Sequence, residues 1–190
     1  VTEAELLKGL LQHDQGAFRA LVDQYKDQVY RTSMGLLHNR EDAEDISQDV
    51  FIEAYQSIRH FRGQSKISTW LYRITINKSL NLMRKNKIRE GFFSLENFFR
   101  WKKDENTQVH LPEIHASDQG IENTERSKIL SKAISTLPEN QRIAFTLHKI
   151  EELPHKEIAQ VMETSVSSVE SLIFRAKMNL QKKLSSFYKL

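Results

Sequence analysis

Apolar residues recur at three- and four-residue spacing along most of this chain, and β-branched alternation is scarce. With only six Gly and three Pro to interrupt it, that period predicts an all-α protein. The pattern places helices near Glu3–Leu11, Asp14–Leu37, Arg40–Arg59 and Ser68–Asn86, with the turn "FRGQS" before the last. It lapses over "GFFSLENFFRWKKDENTQVHLPEIHASDQG", which mixes aromatic and polar residues and contains Pro112 and Gly120. Periodicity resumes near Ile121, with helices expected at Glu122–Thr136, Pro138–Ile150, Pro154–Met162 and Ser167–Phe187. Pro138 and Pro154 stand where a first-turn proline is best tolerated. A structureless loop of about thirty residues is unusual inside one domain. The organisation expected is therefore two small helical domains, 1–90 and 122–190, joined by a linker at 91–121.

Composition narrows the class. Hydrophobic residues make up 39% and charged residues 28% of the 190, which fits a water-soluble globular chain. No apolar run approaches the ~20 residues of a membrane span, so no membrane insertion is expected. The start "VTEAELLKGLLQHDQGAF" is acidic and amphipathic, unlike a secretory signal. The absence of cysteine excludes disulfides and thiolate metal sites and fits a cytoplasmic protein.

Net charge is a modest +3, but the charge is sorted along the chain. Glu41 to Glu53 holds six acids and no base, while Ala54 to Arg89 holds nine bases and no acid. Such sorting points to surfaces with different partners. Asp42, Asp45, Asp49, Glu53 and Gln56 share one helical stripe, in which Asp45/Asp49 and Asp49/Glu53 repel at i,i+4 by roughly 0.2–0.5 kcal/mol each. A solvated face, a cationic protein partner and a divalent-metal site all remain open for it, although no His accompanies the acids in register.

The basic stretch "STWLYRITINKSLNLMRKNK" sets Trp70 at the head of a stripe of Arg73, Asn77, Asn81 and Arg84, flanked by Lys78 and Lys85, with the aliphatic residues mostly opposite. An aromatic beside cations and amides suits unstacked bases and their phosphates. A tryptophan that simply extends the core fits the same wheel. Near the C-terminus, "HKEIAQVMETSVSSVESLIFRAKMNLQKKL" has a helix-turn-helix pattern. Val169, Ile173, Ala176 and Leu180 form the inner face of its second helix. Ser167, Ser168, Glu170, Ser171, Phe174 and Arg175 lie outside that face, where a recognition helix meets the major groove. Arg175, Lys177, Lys182 and Lys183 would hold phosphates. A helical hairpin packed for stability alone shares the pattern, and Glu163 occupies a turn position where many such motifs have Gly.

Two blocks, "DAEDISQDVFIEAYQSIRHFRGQSKISTWLYRITINKSLNLMRK" and "LPENQRIAFTLHKIEELPHKEIAQVMETSVSSVESLIFRAKMNL", together resemble bacterial RNA polymerase sigma factors of the extracytoplasmic-function (ECF) group. The resemblance implies a non-enzymatic initiation factor without cofactor or metal. Its partners would be core RNA polymerase, promoter DNA and an anti-sigma factor. The resemblance gives Asp42, Asp45, Gln48, Asp49 and Glu53 to the β′ clamp. Arg62, Gly63, Gln64, Ser65, Lys66 and Ser68 go to a loop that captures a flipped −10 base, and Trp70, Arg73, Asn77 and Asn81 to strand separation and backbone contact. The −35 element and the β flap fall to the C-terminal domain, with Ser167, Ser168, Glu170, Ser171, Phe174, Arg175 and Lys177 on the DNA. Where many members carry Arg-Ser-Arg, this chain has Glu170, Ser171 and Leu172, so a different −35 preference is expected, with Glu170 accepting from a cytosine amine. The competing readings are a dimeric helix-turn-helix regulator, for which no dimerisation segment is evident, and a metal-dependent nucleic-acid enzyme using the acidic stripe. A flexible linker would also permit a closed form in which the two domains cover each other's DNA-binding faces.

Overall fold

The computed structural model describes residues 2–61, 63–101 and 121–187, and among them every regular element is helical. α1 (Glu3–Leu11) opens with a capping box. The Glu5 N–H donates to the Thr2 hydroxyl at 3.3 Å, and the Thr2 N–H donates to the Glu5 carboxylate at 2.8 Å. α2 (Gln15–Leu37) starts on Asp14, which accepts the Ala17 N–H at 2.7 Å, and stops where His38 turns left-handed at φ 53°. α3 (Arg40–Ser57) starts on Asn39, with Glu41 and Asp42 against the positive end of its dipole. A single 3-10 turn, Ile58–His60, leads into the loop before α4 (Ile67–Trp101). The Ile67 N–H donates to the Glu3 carboxylate at 2.6 Å, so α1 caps the start of α4 from across the bundle.

The C-terminal helices are α5 (Ile121–Ser135), α6 (Glu139–Lys149), α7 (His155–Val161) and α8 (Val166–Phe187). Pro138 and Pro154 are the N-caps of α6 and α7, one residue earlier than the first-turn position expected of them. Arg142 of α6 is buried and donates to the carbonyls of Ser135 and Leu137, closing the end of α5. In the turn before α8, the Ser165 hydroxyl accepts the Ser168 N–H at 3.2 Å, a side-chain cap.

The helices expected from periodicity are all found, with ends displaced by a residue or two, except at α4. That helix runs to Trp101 rather than stopping at Asn86, so residues 91–101 of the expected linker are helical. A lone Gly91 costs a helix only about 1 kcal/mol. Phe92, Leu95, Phe98 and Phe99 also keep a three- to four-residue spacing that the aromatic-polar mixture disguised. The remainder of that expected linker, 102–120, lies outside the described residues, as does Arg62.

α4 presents two apolar faces. Ile67, Leu71 and Ile74 join Leu10, Leu21, Val50 and Ile58 in the core of the N-terminal helices. Tyr72, Ile76 and Leu80, with Leu36 of α2, instead share a core with Ile143, Leu147, Ile158, Val169 and Ile173. The C-terminal helices thus pack directly on α2 and α4. A smaller cluster of Ala133, Ile134, Leu137, Ala176 and Leu180 holds α5 against α8.

Candidate nucleic-acid interface

Burying Ala43, Ile46, Val50 and Ala54 turns the opposite face of α3 to solvent, so Asp45, Gln48, Asp49 and Glu53 are exposed and Asp42 is half-buried. Glu53 is paired with Lys78 of α4 at 2.9 Å, which relieves part of the repulsion along the stripe. Ile52 lies among these groups with 53% of its surface exposed, an apolar centre within an acidic rim. Its position, seven residues after Asp45 and three after Asp49, places it on the same wheel, but no charge marks it there. Among the described residues no group of three or more acids and histidines is arranged to hold a metal.

The loop before α4 places Gly63 at φ 67°, with open space around it, and leaves Gln64 and Lys66 exposed. Ser65 and Ser68 are partly covered. Trp70 takes an intermediate position between its two readings. It is half-buried and packs on the N-terminal core, its ring centroid 5.1 Å from that of Phe61. Asn77 and Asn81 are exposed on the same side of α4.

Arg73 is not free for solvent. One of its terminal nitrogens meets Glu163 at 2.9 Å and the other donates to the Gln160 carbonyl at 2.7 Å, both in the helix-turn-helix. Lys66 meets Glu157 of α7 at 3.1 Å. The loop and α4 cations therefore touch the C-terminal helices, which the sequence did not reveal.

In the helix-turn-helix, Val169, Ile173, Ala176 and Leu180 are all buried, as the wheel requires. Ser167, Glu170, Ser171, Phe174, Arg175 and Lys177 are exposed, and Ser168 is half-covered beside the Ser165 hydroxyl. Glu170, Ser171, Phe174 and Arg175 line one shallow depression. The turn does bend left-handed at Glu163, φ 52°, the conformation for which glycine is the usual choice. Glu170 also approaches the His155 ring at 3.6 Å, and the His148 and His155 rings stand 5.1 Å apart. Burial, the largest influence, pushes the His148 imidazole below its ordinary value. The outer face of α8 stays open, while Lys66 and Arg73 of the expected −10 surface touch the C-terminal helices and Gly63, Gln64, Asn77 and Asn81 stay exposed.

Comparison with known proteins finds relatives for both halves of the chain. The family model "Sigma-70 region 2" matches residues 21–88, and "Sigma-70, region 4" matches residues 127–180. The ECF RNA polymerase sigma-E factor of Haemophilus influenzae is 33% identical over 97% of this chain and 96% of its own length. Among solved structures, CnrH in complex with the cytosolic domain of CnrY superposes with a TM-score of 0.69 at 21% identity, covering 97% of both chains. The sigma factor RpoE of Bartonella quintana, solved with the anti-sigma factor NepR, superposes with a TM-score of 0.62 at 21% identity, covering 88% of this chain and 96% of that one. At that identity the last two bear on the fold alone. No helix among the described residues is long and apolar enough to cross a membrane.

Proposed function

The chain belongs to the ECF group of the sigma-70 family of transcription initiation factors, and from that premise we propose how its surfaces divide the work. The exposed face of α3, with Asp45, Gln48, Asp49 and Glu53 and with Asp42 at its edge, docks on a cationic surface of core RNA polymerase, the β′ clamp. The loop from Arg62 to Ser68 receives a flipped −10 base. Flipping costs a few kcal/mol, which stacking and pocket contacts must offset. Trp70, Arg73, Asn77 and Asn81 hold the separated strand. Ser167, Ser168, Glu170, Ser171 and Phe174 face the −35 major groove, with Arg175 and Lys177 near the phosphates, and the same domain meets the β flap. The chain works without catalysis, metal or cofactor, in the cytoplasm, and an anti-sigma factor is a further partner.

The observation that supports this best is the pairing of two exposed faces in one chain. An acidic helix face with an apolar centre lies in the N-terminal half, and a recognition helix with an open outer face lies in the other. A dimeric regulator would leave the first without a role.

The test is co-elution of the purified chain with bacterial core RNA polymerase on a size-exclusion column. The wild type is expected to travel with the polymerase and the Asp49→Lys variant to elute alone. A wild type that stays apart from polymerase but binds duplex DNA as a dimer would reject the reading.

A further inference from the structure

The chemistry of the open face on α8 extends to a residue of α7. His155, the first residue of that helix, turns its ring to Glu170 across the helix-turn-helix, with Nδ1 3.6 Å from the carboxylate. That separation is longer than a hydrogen bond. The attraction is therefore one of charge, present in full only when the imidazole is protonated. Solvent reaches both side chains, since His155 is half-buried and Glu170 exposed. Glu170 meets no other cation among the described residues.

The surrounding charges leave this pair to itself. The ring of His148 on α6 stands 5.1 Å from that of His155, with 57° between their planes. Burial above all holds His148 below its ordinary value, so it brings no competing charge near neutral pH. Lys149 of α6 and Lys177 of α8 act on His148 in the same direction. On α7 itself Lys156 is exposed, and Glu157 is engaged with Lys66 at 3.1 Å. Arg73 of α4 is taken by Glu163 and the Gln160 carbonyl. Of the two acids that precede α7, Glu151 is held by Arg31 and Glu152 is exposed.

Glu170 also lines the depression on the outer face of α8 with Ser171, Phe174 and Arg175. A carboxylate in a major groove accepts from the cytosine amine. Opposite any other base it is an unpaired negative charge among phosphates, and it opposes binding. In water a surface ion pair is worth little. Under DNA, which removes solvent from this face, the same pair gains strength as the local dielectric falls. The charge of the His155 ring therefore decides whether Glu170 faces the groove or α7.

We propose that His155 is a positioning residue for Glu170, through which a proton sets the −35 base preference. Charged, the ring holds the carboxylate against α7 and cancels its charge, so the position opposite Glu170 tolerates any base. Neutral, it releases the carboxylate to the groove, where only a cytosine amine satisfies it. This rests on the −35 assignment made above. Histidine is the side chain that ordinarily changes charge between about pH 5 and 8, so the preference broadens as pH falls through that window.

The test is selection of promoters from a library randomised in the −35 element. Holoenzyme assembled from the full chain and core polymerase makes the selection at about pH 8 and at about pH 6. At the higher pH wild type is expected to favour cytosine at one position at least about fivefold, and at the lower pH less than about twofold. His155→Phe, which keeps a ring but takes no proton, should show the narrow preference at both. His155→Lys, which stays charged, should show the broad one at both. A wild-type preference that does not move with pH would overturn the proposal, as would a shift that survives in His155→Phe. Glu170→Gln tells two failures apart. If it changes the selected site while wild type shows no pH shift, the role of His155 alone is rejected. If it leaves the site unchanged at about pH 8, the assignment of Glu170 to the −35 groove is rejected as well.

Discussion

Histidine and glutamate side chains carry the sharpest expectations at the scale of single residues. Burial first, and the Arg142 guanidinium second, push the His38 imidazole below its ordinary value, and its Nε2 is buried without a hydrogen-bond partner among the described residues. Charging a group of this kind favours the unpacked state. The contribution of His38 is therefore complete above the ordinary histidine range, about pH 6.5, and is lost as pH falls below it; His148 acts in the same sense. Glu139, held below the usual carboxylate range by Arg84, acts lower, and its contribution fades only as pH drops through the carboxylate range near about 4.5. Melting temperature should thus fall in two stages on acidification. His38→Asn, which tolerates the left-handed backbone, should flatten the upper stage in part, and an unaltered upper slope in calorimetry would exclude His38 as its source. Glu163 offers a cleaner comparison, because Glu163→Gly and Glu163→Ala both lose the pair with Arg73 and differ in backbone strain. The glycine variant should be the more stable by about 1 kcal/mol in urea titration. The identity of Glu163 was plain in the sequence, whereas its left-handed turn and its reach to Arg73 depended on how two separate helices meet.

At the scale of elements, helix starts were the most legible feature. Periodicity and the two prolines placed them, and the caps found at Thr2, Asp14 and Asn39 need only their own next few residues. The start of α4 is different, because its cap comes from Glu3, more than sixty positions earlier in the chain. Glu3→Ala should cost about 1 kcal/mol, read as a lower urea midpoint and as faster amide exchange at Ile67. The end of α4 misled the sequence reading for a related reason. Aromatics spaced for a helix but interleaved with charge look aperiodic until the preceding helix is seen to carry on through them. The pattern along α8 gave its inner and outer faces correctly, because one side had to bury Val169, Ile173, Ala176 and Leu180. On the function proposed above, its Glu170 bears on base preference. Glu170→Arg should shift the −35 sequence selected from a random promoter library toward guanine, and an unchanged selected site would remove Glu170 from the reading surface.

For the whole molecule, the decisive fact is that α4 serves two cores. Ile76 belongs to the core shared with the C-terminal helices, so Ile76→Ala should weaken their attachment by about 2–5 kcal/mol. Unfolding followed by tryptophan fluorescence, from Trp70 and Trp101 of α4, and by amide exchange in α8 should coincide in the wild type and separate in that variant. Coincident transitions in both proteins would mean that the shared core does not couple the halves. The sequence by itself determined the helices apart from the end of α4, most of the faces they bury, the sorting of charge along the chain and, through two motif blocks, the family. These follow from short-range periodicity and residue chemistry, which are written locally. Only the tertiary structure decided that Lys66 and Arg73 face Glu157 and Glu163, that Gly35 makes room for Ile150 and Thr146, and that a carboxylate at Glu151 could be buried. Each depends on side chains from distant helices meeting at a few ångströms, a coincidence of packing that no local pattern encodes.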